Sequence, residues 1–241
     1  MSSAQWTHRL PASRTVHRID FLRQVAAGKR VIHLGFWGTE DCRDQLGPEG
    51  LWLHDQLGQT AASLVGIDYN EDAVARARGE GYEAYAVDCR DGKALAALEL
   101  ETADVVIAGE LIEHLDSPGA FLDAIHALVS PGGTLVVTTP NAYALLNPIT
   151  ALRRFEIINP DHVVLYSWFT LRNMMERHGW AVREILAYDY VPRGRPRSIN
   201  AALGRFLVKS QSALARIRPF VGAGLIAVAH PMPDRAAESH R

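Results

Sequence analysis

Two carboxylates and two imidazoles have the types and spacing of a small catalytic or metal-binding group. Glu110 lies three residues before Glu113 and four before His114, so on a helical turn the three side chains share one face. His162 follows later, in the sequence Asn-Pro-Asp-His, in a segment expected to border the same cleft. Together they would suit an octahedral Mg²⁺ or Mn²⁺ ion that lowers the pKa of a bound hydroxyl. Without an ion, His114 or His162 is the candidate general base, with Glu110 beside it, and Glu113 would cap a helix or pair with an arginine.

A second set of candidate residues follows four short apolar runs that are typical of buried strands. The runs end at Gly35-Phe36-Trp37-Gly38, at Asp68, at Asp88-Cys89 and at Gly109-Glu110. In an open parallel sheet, ligands bind beyond the carboxyl ends of the strands. Glycines there permit a tight turn and a close approach of the backbone, and Asp68 could accept hydrogen bonds from both hydroxyls of a ribose. Asp88 with the amide of Cys89 could read an adenine edge, so the pattern predicts a nucleoside-containing cofactor.

These residues depend on an alternation of strands and helices. Predicted strands lie at 31–34, 64–67, 82–87, 104–108, 134–138, 181–188 and 222–229, and helical patterns at 16–27, 70–78, 117–129 and from Ser167 to about His178. Ser130-Pro131-Gly132-Gly133 predicts a turn before the fifth strand. The alternation predicts an α/β fold with a mostly parallel sheet that has helices on both faces. We interpret His33, inside the first strand, as a core residue.

Length and composition predict one domain over residues 1–241, with a lead-in helix at about 13–27 and a basic insertion at about 190–220 between the last two strands. A formal net charge of −2 gives no overall basic field, which disfavours nucleic acid as a partner. Cys42 and Cys89 are too few for a disulfide framework and favour a reducing, cytoplasmic setting. The longest apolar run, 221–229, is too short to span a membrane, and the first twenty residues lack the apolar core of a secretory signal.

The chain resembles the class I S-adenosylmethionine-dependent methyltransferases over residues 28–190. The resemblance rests on the segments VIHLGFWG, VGIDYNEDAV, AVDCRD, VVIAGELIEHLDSP, LVSPGGTLVVTTPN and HVVLYSWFTLRNMMERHGW. It implies a Rossmann-like, seven-stranded sheet whose last strand is antiparallel. It also implies that S-adenosylmethionine is held by Gly35, Phe36, Gly38, Asp68, Tyr69, Asp88, Cys89, Gly109 and Glu110. The first loop departs from the family, because Phe36 and Trp37 stand where glycines are usual and the link to Asp68 is longer.

The E-x-x-E-H sequence with a distal His is similar to the metal site of small-RNA 2′-O-methyltransferases and of the O-methyltransferases of ubiquinone biosynthesis. The resemblance therefore implies methylation of a hydroxyl on a small molecule or glycan, with or without a divalent metal. The alternatives are an RNA 2′-O-methyltransferase and a non-catalytic domain that binds a partner through Phe36 and Trp37. A nicotinamide-dependent dehydrogenase is disfavoured, because G-x-G-x-x-G is missing and Glu40 and Asp41 stand where phosphates would bind. The basic insertion could contact an anionic acceptor, a membrane surface or RNA phosphates, or form a solvated helix face.

Overall fold

The computed structural model describes residues 7–38, 51–189 and 199–233. Its centre is one sheet of eight strands, in the order β1-β7-β8-β6-β5-β2-β3-β4. The strands are β1 Thr15–Val16, β2 Arg30–Leu34, β3 Ser63–Asp68, β4 Ala84–Ala86, β5 Ala103–Gly109, β6 Val129–Pro140, β7 Trp180–Tyr188 and β8 Gly224–Pro231. The last strand, β8, runs antiparallel to its neighbours β6 and β7, and all other pairs are parallel. This confirms the predicted fold class.

The strand count corrects the expected seven. Thr15 and Val16 form a short edge strand, β1, that pairs with Ala187 and Tyr188 of β7. The sequence pattern predicts Val16 in the lead-in helix. A strand of two residues is too short to show the alternation of apolar and polar residues by which strands are recognised. The helix itself begins only at Arg18, where the preceding His17 side chain accepts a hydrogen bond from the Asp20 amide.

Eight α-helices flank the sheet among the described residues. They are α1 Arg18–Ala26, α2 Leu53–Gly58, α3 Glu71–Gly79, α4 Gly92–Ala96, α5 Pro118–Ala124, α6 Leu146–Leu152, α7 Trp168–Arg177 and α8 Ile199–Ala215. The predicted start of α7 is confirmed: the Ser167 hydroxyl accepts a hydrogen bond from the Thr170 amide, and the Thr170 hydroxyl accepts one from the Ser167 amide. No helix in these ranges is both long and apolar enough to cross a bilayer.

The prediction that Ser130–Gly133 form a turn before the strand is wrong, because these residues lie within β6. β6 begins earlier than expected, because Val129 already pairs with Ala103 of β5. Pairing then resumes between Thr134 and Val105, so the four intervening residues lie within β6 as a bulge, with Gly132 at a φ of +79°. The helix expected to reach Val129 ends at Ala124 and continues as a 3₁₀ turn over Ile125–Leu128.

Apolar side chains cover both faces of the sheet. Consecutive residues of β2 point to opposite sides: Ile32 packs in the layer that contains α5 and α7, and Val31 packs against α1. Asn70 caps α3 by accepting a hydrogen bond from the Ala73 amide at 3.0 Å, which fixes this helix directly after β3. The carboxyl ends of the central strands therefore form one edge of the sheet, and the candidate site lies there.

Candidate active site

The register of the central strands brings the predicted strand-end residues together. Leu34 of β2 pairs with Ile67 of β3 on one side and with Ala108 of β5 on the other. The residues that follow, Gly35, Asp68 and Gly109, therefore meet at the same edge. β4 pairs Ala86 with Asp68, which brings the segment leading to Asp88 beside them. All four strand ends predicted to hold a cofactor border one edge of the sheet.

The loop after β2 makes a tight turn that glycine permits. Gly35 has a φ of +63° and donates a hydrogen bond from its amide to the Ile67 carbonyl at 2.8 Å. A Cβ atom at this position would lie 2.9 Å from Leu111 Cδ1. Gly38 also has a positive φ, +78°, and is exposed. The absence of a side chain at Gly35 therefore permits the positive φ and the close approach of Leu111 to the backbone.

Asp68 joins the end of β3 to that loop. It is only 7% exposed, and its carboxylate accepts hydrogen bonds from the Trp37 amide at 3.3 Å and the Asn70 amide at 3.1 Å. Burial raises the pKa of Asp68, and the backbone hydrogen bonds oppose that shift. The carboxylate is thus fixed in direction before any ligand binds. The next residue, Tyr69, is 78% exposed and is available to contact a bound group.

Phe36 and Trp37 are buried, at 2% and 4% exposure, and belong to an aromatic cluster. The Phe36 ring lies over Gly66 of β3, where a Cβ atom would come within 2.7 Å of it. Trp52 packs against both rings and donates a hydrogen bond from its indole nitrogen to the Phe36 carbonyl at 3.1 Å. Phe36 can therefore contribute backbone, but little side chain, to a cofactor site. These rings offer no apolar surface for the partner-binding alternative.

Asp88 is already paired with a cation. Arg90 donates to the Asp88 carboxylate from Nη2 at 2.7 Å and from Nε, and it reaches Asp116 as well. The Arg90 hydrogen bonds lower the pKa of Asp88. The next side chain, Cys89, is buried, and burial raises the pKa of its thiol to about 12, so it has no nucleophilic thiolate. An adenine amine would have to share the Asp88 carboxylate with Arg90.

Arg18 reaches the same edge from α1, which the sequence interpretation did not foresee. Arg18 Nη2 lies 3.0 Å from where a Cβ atom of Gly109 would be, and His33 Nε2 lies 3.7 Å from that point. The guanidinium donates from Nε to the Thr138 hydroxyl at 3.1 Å and lies over the Tyr188 ring. The absence of a side chain at Gly109 therefore leaves room for a cation beside the glycine loop.

Glu110 supports this arrangement. It adopts a left-handed φ of +56°, a strained conformation for a residue with a side chain. Its carboxylate accepts hydrogen bonds from Thr138 Oγ1 at 2.8 Å and from the Tyr188 hydroxyl at 2.6 Å. Arg18 Nε lies 3.9 Å from the same oxygen. The Glu110 side chain is thus directed toward Arg18 and the end of β6.

Three of the four predicted metal ligands form a group, and Glu110 is not among them. The nearest ligand atoms of Glu113, His114 and His162 all lie within 4.8 Å of one another. The His114 and His162 rings are edge to face, with centroids 4.6 Å apart, and His162 Nε2 is 4.0 Å from Glu113 Oε1. The backbone fixes this approach, because the Glu113 carbonyl accepts a hydrogen bond from the Val163 amide at 2.9 Å.

Several buried polar atoms of this group lack a hydrogen-bond partner among the described residues. They are both carboxylate oxygens of Glu113 and Nδ1 of His162, with the hydroxyls of Thr139 and Tyr166 nearby. Burial, and then the charge of Glu110, raise the pKa of Glu113 to about 8, and burial lowers the pKa of His162. The Thr139 hydroxyl acts in the opposite direction and lowers the pKa of Glu113. Buried polar groups in folded proteins are almost always satisfied. A cation or a substrate hydroxyl would satisfy these atoms, so the donor set fits a divalent ion.

A groove of about 440 Å³ lies elsewhere, between the amino-terminal segment and β7. Ser13, Arg14 and Trp168 are among its lining residues, and none of the predicted site residues is. Its position therefore does not mark the candidate site.

Some predicted features lie outside the described residues: Glu40, Asp41, Cys42, and, in the basic insertion, Arg193, Arg195 and Arg197.

The fold and the site define the class of the protein. A mostly parallel sheet with an antiparallel last strand, a glycine turn after β2 and a buried acid at the end of β3 are the marks of a class I S-adenosylmethionine-dependent methyltransferase. The sequence matches the family described as a methyltransferase domain over residues 47–185, more than half of the chain. The chain therefore belongs to this methyltransferase family.

Named relatives agree with that class. A ubiquinone biosynthesis O-methyltransferase of Hahella chejuensis is 32% identical over 152 residues, which are 61% of this chain and 56% of that protein, less than two thirds of its length. One of Stutzerimonas stutzeri is 31% identical over 213 residues, or 82% of this chain and 87% of that protein. A solved S-adenosylmethionine-dependent methyltransferase from Archaeoglobus fulgidus has a TM-score of 0.54 at 19% identity, covering 88% of this chain and 92% of that one, a likeness of fold.

Proposed function

We propose that the protein transfers a methyl group from S-adenosylmethionine to the hydroxyl oxygen of a small molecule or glycan. The observation that carries the proposal is the Glu113–His114–His162 group, which has unpartnered buried polar atoms and joins the loop that follows Gly109 to the segment before α7. This loop joins the strand-end edge to a set of groups able to bind and deprotonate a hydroxyl. The names of the relatives support oxygen as the acceptor atom. The net charge of −2 favours a small acceptor over RNA.

The chain's own residues would hold the two ends of the cofactor differently. The Asp68 carboxylate, fixed by two amides, is suited to accept hydrogen bonds from ribose hydroxyls. The amino-acid end would lie near the backbone of Gly35 and Gly109, where Arg18 would pair with its carboxylate. Tyr69, Asp88 and the Cys89 amide would surround the base, and Phe36 and Gly38 would contribute backbone. When bound, S-adenosylmethionine supplies a methyl group on a sulfonium, so the enzyme needs mainly to align the acceptor with it.

The acceptor hydroxyl would be prepared at the Glu113–His114–His162 group. Glu113, His114 and His162 would hold a Mg²⁺ or Mn²⁺ ion, and such an ion lowers the pKa of a hydroxyl bound to it. Positive charge there also offsets the burial of the Glu113 carboxylate and its repulsion by Glu110. In a site without an ion, the lowered pKa of His162 keeps its imidazole neutral and able to accept the hydroxyl proton.

Release of S-adenosylhomocysteine from a panel of hydroxylated acceptors tests the proposal. We expect turnover with at least one small acceptor, its loss in EDTA and its return with Mg²⁺ or Mn²⁺. Glu113→Gln should lower kcat by about 10²-fold or more, the range for a group that acts on the transferred proton or its cation. Glu101→Gln, a carboxylate that is 84% exposed on its side chain and lies before β5, is the matched control. Full activity in EDTA would exclude a role for a metal ion. If the cofactor binds but no acceptor is methylated, the proposed methyl transfer would be contradicted.

A further inference from the structure

One helix exposes an apolar stripe that no described element covers. In α8 and the turn after it, Leu203, Phe206, Leu214 and Ile217 are 46%, 65%, 38% and 69% exposed. At 100° per residue, the three positions within α8, Leu203, Phe206 and Leu214, fall within about 80° of arc on one side of the helix. Soluble helices normally turn such a stripe toward the core. Here it faces outward.

The other side of α8 is fixed to the domain, so the orientation of the stripe is set. Gln211 is 2% exposed; its Oε1 accepts a hydrogen bond from the Leu146 amide at 3.0 Å and its Nε2 donates to Asp189 at 3.2 Å. Ala215 is fully buried, and its carbonyl accepts a hydrogen bond from the Thr15 hydroxyl at 2.6 Å. Rolling α8 to bury the stripe would break these three bonds.

The charge around the stripe has one sign. Lys209, Arg216 and Arg218 are exposed and flank the apolar residues. The sequence contains no Asp or Glu between Asp189 and Asp234, although the whole chain carries a net charge of −2. Apolar side chains beside a purely cationic flank are the composition of helices that lie in the interface of an anionic bilayer. In a two-fold dimer the same patch would meet itself, and these cations would repel one another.

A second apolar group lies on the helix that contacts α8. Leu152 at the end of α6 and, just beyond it, Phe155 and Ile157 are 87%, 68% and 73% exposed, next to Arg153 and Arg154. α6 is tied to α8 through the bond between the Leu146 amide and Gln211. The segment that follows β6 therefore carries a second group of exposed apolar side chains beside cations.

We propose that α8 docks this protein on the surface of an anionic phospholipid bilayer, with Leu203, Phe206, Leu214 and Ile217 inserted at the interface and the flanking cations on lipid phosphates. The stripe would lie in the plane of the interface, because α8 is not long and apolar enough to cross a bilayer. This role goes beyond methyl transfer and does not depend on it.

Sedimentation with vesicles of stated composition tests the proposal. We expect binding to vesicles that contain phosphatidylglycerol, weakened by salt, and little binding to pure phosphatidylcholine vesicles. Phe206→Ser and Leu203→Ser should each weaken binding about tenfold, through loss of buried apolar surface. Leu10→Ser removes a leucine of similar exposure, 43%, from another segment and should leave binding unchanged.

The cationic part has its own matched pair. Lys209→Gln should weaken binding about fivefold, the effect of one cation near an anionic surface. Lys29→Gln removes an exposed lysine from the turn before β2, at the opposite edge of the sheet, and should have no effect. Equal binding to both kinds of vesicle, or to neither, would overturn the proposal. The proposal would also be overturned if the protein binds no vesicles and forms a dimer in solution that Phe206→Ser converts to a monomer. None of these outcomes requires methyltransferase activity.

Discussion

At the level of single residues, the proposed cofactor binding depends most on the buried Asp68 carboxylate. Asp68→Asn keeps the size of the side chain but removes the charge that we propose accepts hydrogen bonds from a ribose. We expect the affinity for S-adenosylhomocysteine to fall by about 1–3 kcal/mol, the value of charged hydrogen bonds. Isothermal titration calorimetry measures this directly. Asp72→Asn, an exposed acid on the first turn of α3, is the control, and an equal loss in both variants would remove the specific role of Asp68.

Arg18 gives a sharper test, because only one end of the cofactor should contact it. Arg18→Gln should weaken S-adenosylhomocysteine at least about tenfold, the loss of a charge-assisted hydrogen bond. Affinity for 5′-methylthioadenosine, which has no carboxylate, should change little. Calorimetry with the two ligands separates these effects. Parallel losses for both ligands would instead mean that Arg18 supports the fold of the edge through Thr138 and Tyr188.

Residue types at strand ends were predictable, whereas distant partners were not. Gly35 and Asp68 follow apolar runs at positions where their chemistry is recognisable in the sequence. Arg18 lies 17 residues before Gly35 on another element, and its role becomes visible only when α1 packs on the sheet. One signal was present: a cation in the first turn of a helix opposes the helix dipole, so such a residue has another reason to be there. Tyr166 and Tyr188, which approach Glu113 and Glu110, gave no comparable signal.

At the scale of elements, β2 and α2 are joined by a buried histidine pair. His33 and His54 are 2% and 1% exposed, with their Nδ1 atoms 3.2 Å apart. The sequence interpretation of His33 as a core residue agrees with this burial, but its partner, which follows the residues 39–50 outside the described structure, could not be predicted. Burial lowers the pKa of both imidazoles, that of His54 to about 3.

This pair predicts how stability depends on pH. In the unfolded chain each imidazole binds a proton below about pH 6.5, and in the folded chain it stays neutral. The contribution is therefore full above that pH and is lost as the pH falls toward about 3. When the pH falls from 7 to 5, each such histidine should lower the free energy of unfolding by about 2 kcal/mol.

Urea unfolding at several pH values measures this loss. In His54→Gln the slope of stability against pH between these values should be shallower than in the wild type, whatever the absolute stability of the variant. His8→Gln changes an exposed histidine and should keep the wild-type slope. A His54→Gln slope identical to that of the wild type would mean that His54 is not held neutral.

Helices and strands that repeat their apolar pattern several times, or that begin with a capping side chain, could be predicted from the sequence. Short, irregular elements could not. Asn70 and Ser167 were recognisable as helix starts because a capping side chain acts locally. β1 and the Ser130–Gly133 bulge depend on pairing with distant strands, β7 and β5. Pro and Gly in the bulge gave the same sequence signal as a turn, and only the register distinguishes the two.

At the scale of the whole molecule, the alternation of strands and helices predicted a parallel sheet but not the order of its strands. The order follows from which crossovers the helices make, and it puts β2 between β3 and β5. That placement creates a reversal of the winding direction beside β2, where open α/β sheets bind their ligands. Gly35, Asp68 and Gly109, with the segment that leads to Asp88, therefore lie at one edge of the sheet, and we propose that they surround one cofactor.

A crystal structure of the protein with S-adenosylhomocysteine tests that claim most directly. We expect the ribose on the Asp68 carboxylate, the base beside Asp88 and Cys89, and the amino-acid end over Gly35 and Gly109 within reach of Arg18. A ligand bound elsewhere, as in the groove between Arg14 and Trp168, with the strand-end edge closed by the chain itself, would contradict it.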